Sequence, residues 1–457
     1  MIKLNLYNTL QRRLSIFQPI DTKNVRIYAC GPTVYDFIHI GNARPLVVFD
    51  VLVRLLRKIY PKVTYVRNIT DIDDKINKRA IEKKINISEL TNETIKNFHK
   101  DAHALGNLKP DFEPKATDHI SEMIEMIETL ISNGFAYVSS GNVSFAVEKY
   151  NNYGALSGRS LDEMISGSRV EVAEYKKNPG DFILWKPSSE KLPGWDSPWG
   201  RGRPGWHIEC SAMSKKYLGT QFDIHAGGLD LIFPHHENEI AQSCCANKSD
   251  IMANYWLHNG YVTSDGEKMS KSLGNFATIN SLLLNFRGEA IRYALMQAQY
   301  RAPLNFSKKS LDEATKSLSR LYRAVEGFDV NDGQDIQIID NLCDDLNSPK
   351  ALARLHYLAD EANKGSKECA QKLKNSSNIL GILCNSTDEW FKFGEINSNE
   401  AIENFSMTEK EIDELIIKRK IAKENKEYEK ADQIREQLLE KNIQLEDKPD
   451  RTVWRRL

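Results

Sequence analysis

Apolar and polar positions along the 457-residue chain change period several times, and each change marks a different kind of element. Val25 to Cys30 alternates in the manner of a strand and runs into the turn Gly31-Pro32-Thr33. After His39-Ile40-Gly41-Asn42, the stretch from Pro45 to Leu56 places its apolar residues at helical spacing, with a proline near the first turn. Val63 to Ile69 is again β-branched and aromatic. Strand, glycine turn, helix and strand within about forty residues form a βαβ unit, the building block of a parallel nucleotide-binding sheet. From about 71 to 133 the pattern is polar and helical, with one apolar stripe at Ile120, Met123, Ile124, Ile127, Leu130 and Ile131. Residues 134–203 change character. Tyr137-Val138, Val143 to Val147 and Phe182 to Trp185 are short strand candidates separated by Gly, Ser, Asn and Pro, which predicts an inserted β-rich or mixed subdomain. The sheet resumes at Phe222 to His225 and ends in Gly227-Gly228. Residues 311 to about 395 read as amphipathic helices, for example through Leu318, Leu321, Tyr322 and Val325. A charged segment, Lys418 to Lys430, leads to a last helix with Ala431, Ile434 and Leu438 on one face.

Composition narrows the class without choosing a partner. An apolar fraction of 41% and a charged fraction of 27% exclude a collagen-like, mucin-like or wholly disordered chain. With 62 basic and 63 acidic residues the net charge is −1, which argues against a surface coated for nonspecific nucleic-acid binding but permits a local basic patch. The first residues, with Arg12 and Arg13 soon after, contain no apolar h-region, and no run approaches the ~18 apolar residues of a membrane span. Seven scattered cysteines do not form a secreted disulfide framework. A cytoplasmic, reduced protein is the expectation.

Two groups of residues carry chemistry. Lys268-Met269-Ser270-Lys271-Ser272, followed by Leu273-Gly274-Asn275, puts two ammonium groups and two hydroxyls on a glycine-bounded loop, which reads either as an exposed basic loop or as a device for gripping phosphates. The earlier His39-Ile40-Gly41-Asn42, after a strand and at a helix N-terminus, favours the second reading. There the helix dipole and free amides attract an anion, Gly41 permits close approach, and His39 can donate a hydrogen bond. The second group is metal-like: Cys30 closes the first strand, Cys210 lies in Gly205-Trp206-His207-Ile208-Glu209-Cys210, and His235 and Glu239 stand at i and i+4. Two thiolates, an imidazole and a carboxylate can hold Zn²⁺ with room for a substrate atom, although each residue singly can also be structural, as Cys244-Cys245 is expected to be. His236-Glu237 is followed three residues later by Ile240, so a metalloprotease His-Glu-x-x-His is not satisfied.

The two phosphate-gripping sequences resemble the HIGH and KMSKS signatures of the class I aminoacyl-tRNA synthetases, in the expected order, with Asn42 in place of the last histidine. Within that class the chain resembles the cysteinyl-tRNA synthetase family. The resemblance rests on Cys30 to Asp36, Asn68 to Lys75, Gly202 to Cys210, Pro234 to Glu239, Lys268 to Asn275 and Trp454-Arg455-Arg456, and covers nearly the whole chain. It implies an α/β fold: a Rossmann-like parallel-sheet catalytic domain made of 1–125 and 204–255, a connective insertion over 126–203, and a KMSKS-bearing stem-contact segment over 256–310. An α-helical bundle over 311–395 and a small C-terminal anticodon-binding domain over 396–457 would complete it.

The implied activity is attack of the L-cysteine carboxylate on the α-phosphate of ATP, followed by transfer of cysteine to the 3′ end of tRNA(Cys). His39, Lys268 and Lys271 would be catalytic, positioning groups and neutralising charge on the leaving pyrophosphate. Gly41, Asn42, Gly227, Gly228, Asp230 and Lys271 would hold ATP, a tight structural turn being the other reading of the glycines. Cys30, Cys210, His235 and Glu239 would bind one Zn²⁺ per chain that recognises the substrate thiol. Thr70 and Trp206 fall where the family shapes the amino-acid pocket; a strand-end hydroxyl and a packed indole are the alternatives. Shape alone separates serine from cysteine by about a hundredfold or less, whereas zinc binds a soft thiolate and leaves a hydroxyl a poor ligand, so serine is expected to be rejected without an editing domain. His207, His225 and His236 are candidates for orienting the ligands. Mg²⁺ is expected only as the companion of ATP, because Asp71, Asp73 and Asp74 read as a helix-entry cap and surface charge. Arg451, Arg455 and Arg456 with Trp454 mix guanidinium and stacking surface suited to unpaired tRNA bases, against the alternative that Trp454 stitches the tail into a core. A monomer that touches no membrane is expected. A same-fold cysteine ligase acting on a small amine, and a noncatalytic RNA-binding relative, are the competing functions.

Overall fold

The computed structural model describes residues 3–159, 174–264, 267–268, 277–331, 333–392, 407, 409–441, 443–447 and 452–456. A short antiparallel hairpin, β1 (Asn5–Asn8) and β2 (Arg13–Ile16), precedes β3 (Val25–Ala29), α1 (Ile40–Ile59) and β4 (Val63–Arg67). Helices α2 (Asp74–Lys83), α3 (Ile87–Ala104) and α4 (Ile120–Ser132) follow. An antiparallel sheet comes next: β5 (Ala136–Ser139), β6 (Asn142–Phe145), β7 (Phe182–Pro187) and β8 (Gly202–Pro204), in that order. The chain then returns through α5 (Trp206–Leu218), β9 (Phe222–Gly228), α6 (Glu237–Asn247) and β10 (Ala253–Asn259). Strands β10, β9, β3 and β4 lie side by side in that order, all parallel.

The period of two along β3 explains how both faces of this sheet are covered. Val25, Ile27 and Ala29 join the core beneath α1, with Val47, Val51 and Leu55. Tyr28 points the other way, into a second core with α4, α5 and Trp256. Helix α1 begins at Ile40, within the expected His39–Asn42 N-terminus, because His39 and Asn42 cap it reciprocally: the Asn42 amide donates to His39 Nδ1 (3.3 Å) and the His39 amide to Asn42 Oδ1 (3.4 Å). Pro45 therefore sits inside the helix and removes the i+4 donor to the Gly41 carbonyl.

Beyond the sheet, β11 (Val262–Ser264) pairs with β12 (Glu267–Lys268) and, in parallel, with β13 (Leu304–Asn305), which follows α7 (Ile279–Leu282) and α8 (Gly288–Leu295). Helices α9 (Lys308–Ala324), α10 (Ile336–Cys343), α11 (Ser348–Asn363), α12 (Lys367–Ser377) and α13 (Thr387–Lys392) make the predicted helical bundle. It is fastened to α1 by buried charge. Arg292 of α8 donates to Asp50 Oδ2 (2.5 Å) and to the carbonyls of Leu380 (2.6 Å) and Leu105 (3.2 Å), while Arg54 donates to the same Asp50 oxygen (2.7 Å). Last come α14 (Glu409–Glu424), α15 (Tyr428–Glu440) and a hairpin of β14 (Ile443–Asp447) and β15 (Thr452–Arg456). Sequence periodicity stops at the last helix and misses this hairpin, whose five-residue strands hide their alternation among charged positions. Its Trp454 is buried with Ile412, Leu438, Ile443 and Leu445, and Nε1 donates to Asp413 Oδ1 (2.9 Å). This burial favours the alternative in which Trp454 stitches the tail into a core. No helix among the described residues is long and apolar enough to cross a membrane.

Candidate active site and metal cluster

At the carboxyl ends of β3 and β9 lies a cavity of ≈ 350 Å³. Its wall includes Cys30, His39, Gly41, Asn42, Trp206, Gly228 and Asp230, residues that the sequence scatters over two hundred positions. Open α/β sheets bind ligands at such strand ends. Gly41 is required beside the cap, since a Cβ there would stand 2.9 Å from the His39 ring. The His39 Nδ1 that accepts from Asn42 leaves Nε2 as the ring's protonated nitrogen. Lys268 reaches the site region through its backbone, paired with Thr263, while Lys271 lies outside the described residues.

Cys30, Cys210, His235 and Glu239 converge from four elements, each offering an atom within 4.8 Å of the others. Cys30 Sγ is 3.9 Å from Cys210 Sγ, far beyond a disulfide bond, and 3.8 Å from Glu239 Oε1; His235 Nε2 is 3.0 Å from the same carboxylate oxygen. A tetrahedral site with Zn–ligand distances of about 2.0–2.3 Å has edges of about 3.3–3.8 Å, so the donor set and its spacing fit a zinc-like ion. Glu239 Oε2 has no hydrogen-bond partner among the described residues, although the carboxylate is fully buried. A second set, Cys30, His225, His236 and Glu239, overlaps the first: Cys30 Sγ lies 3.3 Å from His236 Nε2 and 3.6 Å from His225 Nε2.

Second partners aim the imidazoles. His235 Nδ1 meets His207 Nδ1 at 2.9 Å, His236 Nδ1 meets His258 Nε2 at 2.8 Å, and His258 Nδ1 meets the Thr9 hydroxyl at 2.8 Å. Burial holds these rings neutral, pushing His207 down to about 4 and His225 and His258 down to about 3. Burial likewise drives the Cys30 thiol and the Glu239 carboxyl well up. A divalent cation is what such a pocket would need before its thiols and carboxyl could ionise. Trp206, half-exposed on the cavity wall, stacks on the His235 ring with centroids 4.1 Å apart.

Thr70 is buried, and its hydroxyl accepts from Asn68 Nδ2 (3.2 Å) and bonds Glu209. At Gly227 a Cβ would come within 2.8 Å of His236 Cε1, so the glycine makes room for an imidazole. Asp71, expected at the surface, is buried and accepts from the Thr117 amide (3.0 Å) and hydroxyl (2.6 Å). Asp73 caps α2 as expected, and Asp74 pairs with Lys186 and Arg203 of the inserted sheet. The backbones of Arg455 and Arg456 lie in β15; Arg451 is outside the described residues.

Residues 16–316 match the tRNA synthetases class I (C) catalytic domain and residues 337–385 the DALR domain. Cysteine--tRNA ligase of Rhodospirillum rubrum is 50% identical over 99% of this chain and 99% of its own length, and that of Paramagnetospirillum magneticum is 52% identical with the same coverage. The chain belongs to the cysteine–tRNA ligases. As a member of that family it shares its fold with a methionyl-tRNA synthetase of Mycobacterium tuberculosis solved with methionyl-adenylate, at TM-score 0.58 and 15% identity over 78% of this chain and 89% of that one. The ligase cavity contains residues that sequence reasoning passed over. Tyr35, Arg67, Lys75, Asn259 and Tyr261 line it, and only the tertiary fold brings them there.

Proposed function

We propose that this chain activates L-cysteine with ATP, releasing pyrophosphate, and passes the cysteinyl group to the 3′ end of tRNA(Cys). The observation that supports it most is the convergence of two thiols, an imidazole and a carboxylate, with Cys30 of this cluster lining the same cavity as His39 and Asn42. In the first step a cysteine carboxylate oxygen bonds to the α-phosphorus of ATP while the bond from that phosphorus to the pyrophosphate oxygen breaks. His39, with Nε2 protonated, donates to phosphate oxygens, and the α1 N-terminus adds its dipole. Lys268 and Lys271 neutralise the departing pyrophosphate, and Mg²⁺ accompanies the nucleotide. Gly228 and Asp230, on the cavity wall, would hold the adenosine, and Trp206, on the same wall, would close the amino-acid side.

Cys30, Cys210, His235 and Glu239 would hold a zinc ion, which supplies a soft Lewis acid that favours a thiolate over a hydroxyl. Selection against serine then needs no separate editing site. The division into a catalytic domain (1–125 and 204–255), insertion (126–203), stem-contact segment (256–310), helical bundle (311–395) and C-terminal anticodon-binding domain (396–457) belongs to the same reading, as does a monomeric cytoplasmic enzyme.

The test is ATP–pyrophosphate exchange with cysteine and with serine, zinc content being assayed in the same preparation. Exchange with cysteine alone and about one zinc per chain is expected. Cys210→Ser should lose zinc and raise the KM for cysteine far more than that for ATP. An unchanged cysteine KM after zinc loss would refute thiolate selection.

A further inference from the structure

Arg44 stands in the second turn of α1 and is fully buried, yet no carboxylate lies within ion-pair distance of it among the described residues. Its guanidinium is spent on main-chain carbonyls instead: Nη1 donates to Gly260 O (2.8 Å) and Tyr261 O (2.8 Å), and Nη2 to Gln299 O (3.3 Å). Nε has no partner. Burial pulls the group down to about 10, so it remains charged at neutral pH. A buried cation held by carbonyls alone is an expensive arrangement, and a planar fork is the one cationic side chain that can grip several carbonyls at once.

What it grips is the corner between β10 and β11. Gly260 and Tyr261 line the cavity, and the hairpin that follows them brings the backbone of Lys268 back beside Thr263. The corner is pinned from the other side too: Gly260 N donates to Tyr300 O (2.8 Å), and a Cβ on Gly260 would stand 2.6 Å from the Arg301 and Ala302 carbonyls. Downstream of the same hairpin, Ile40 N donates to Ala277 O (3.1 Å) and Ile279 N to Ile38 O (2.9 Å). The backbone around His39 thus holds the exit of the KMSKS-type segment, and Arg44, five residues on, holds its entrance.

We infer that Arg44 is a positioning residue for the activation step, fixing the 260–261 corner and the β11–β12 hairpin against the helix that carries His39 and Asn42. It acts through backbone geometry and touches no substrate. The inference rests on the proposed ATP-dependent activation and goes beyond it in assigning a buried side chain the registration of the two signature sequences. Arg44→Lys is the decisive variant, since lysine keeps the charge and loses the fork. The kcat of cysteine-dependent ATP–pyrophosphate exchange should fall by about 100-fold, the scale of a misplacement of about 1 Å in a reacting assembly. Calorimetric affinity for cysteine without ATP should be unchanged, because the thiol end of the cavity does not depend on this corner. A variant that exchanges at the wild-type kcat, or that loses cysteine affinity in step with kcat, overturns the inference. Should Arg44→Lys fail to fold, Gly260→Ala displaces the same corner from the other side and must show the same split; wild-type kcat there also overturns it. Absence of exchange in the wild-type chain would instead sink the proposed function itself.

Discussion

Removing Arg292 should weaken the joint between α1 and the helical bundle by an amount the structure bounds. The guanidinium is fully buried, and its loss as Arg292→Met leaves the Leu105 and Leu380 carbonyls without that donor and the Asp50 carboxylate with only Arg54 and the Leu108 amide (2.6 Å). Burial alone pushes the Asp50 carboxyl up; Arg292, then Arg54 and the Leu108 amide, outweigh it and hold Asp50 below its usual value. Breaking a buried pair of this kind costs about 3–5 kcal/mol, chiefly through the charge left behind. At about 2 °C per kcal/mol for a unit of this size, the melting temperature should fall by about 6–10 °C. Scanning calorimetry of Arg292→Met, Asp50→Asn and the double variant is the assay. If stranded charge is the main penalty, adding Asp50→Asn to Arg292→Met raises the melting temperature above that of Arg292→Met alone. A single-variant loss below about 2 °C, or a double variant that falls by the sum of the two singles, would refute the reasoning.

Asp101 of α3 is fully buried with neither carboxylate oxygen hydrogen-bonded among the described residues, and burial raises it from 3.8 to about 6. The folded state then binds a proton more tightly than the unfolded chain, so stability is highest below about pH 4 at this site and is lost as pH rises through about 6. Asp101→Asn should stabilise by about 1–3 kcal/mol at pH 7.5 and by nothing at pH 4, read from thermal melts. Gly227→Ala presses on His236, whose Nε2 is 3.3 Å from Cys30 Sγ, and should weaken zinc retention about 10–100-fold in a chelator competition. Trp454→Phe removes the bond to Asp413 and should cost about 1 kcal/mol in thermal unfolding while the KM for tRNA stays unchanged; a raised KM would return the indole to RNA recognition.

Most of the site was legible because its residues announce themselves by type and local setting. Cys30 ends a strand, His235 and Glu239 stand one helical turn apart, and His39 caps a helix that periodicity alone detects. Where the reading failed, tertiary packing had decided. Nothing local announces that the Thr70 hydroxyl finds Glu209 or that Gly227 makes room for the His236 ring. Asp71 looked like surface charge because nothing local reveals that Thr117, in another segment, satisfies it. Trp454 beside arginines has the composition of an RNA platform, and its burial against Leu438 and Leu445 favours the core-stitching alternative that the sequence leaves open. Of the histidines that aim the cluster, His207 stands among the orienting candidates of the sequence and meets His235, whereas His258 carries no sequence signal of its partner His236.

The strand order β10-β9-β3-β4 has a consequence for how the chain comes off the ribosome. Ile27 of β3 pairs with Ile224 of β9, so the central strand waits for a neighbour nearly two hundred residues downstream, with the inserted sheet made in between. At about 5–20 residues per second of synthesis, that leaves the β3 edge uncovered for roughly 10–40 s. During that interval the nascent chain presents an apolar strand, Val25-Arg26-Ile27-Tyr28-Ala29, with one unpaired side, the kind of edge that other chains can add to. Any fragment ending inside the insertion would keep that edge permanently, so the first βαβ unit is left without the partner strand β9 that covers it in the whole chain.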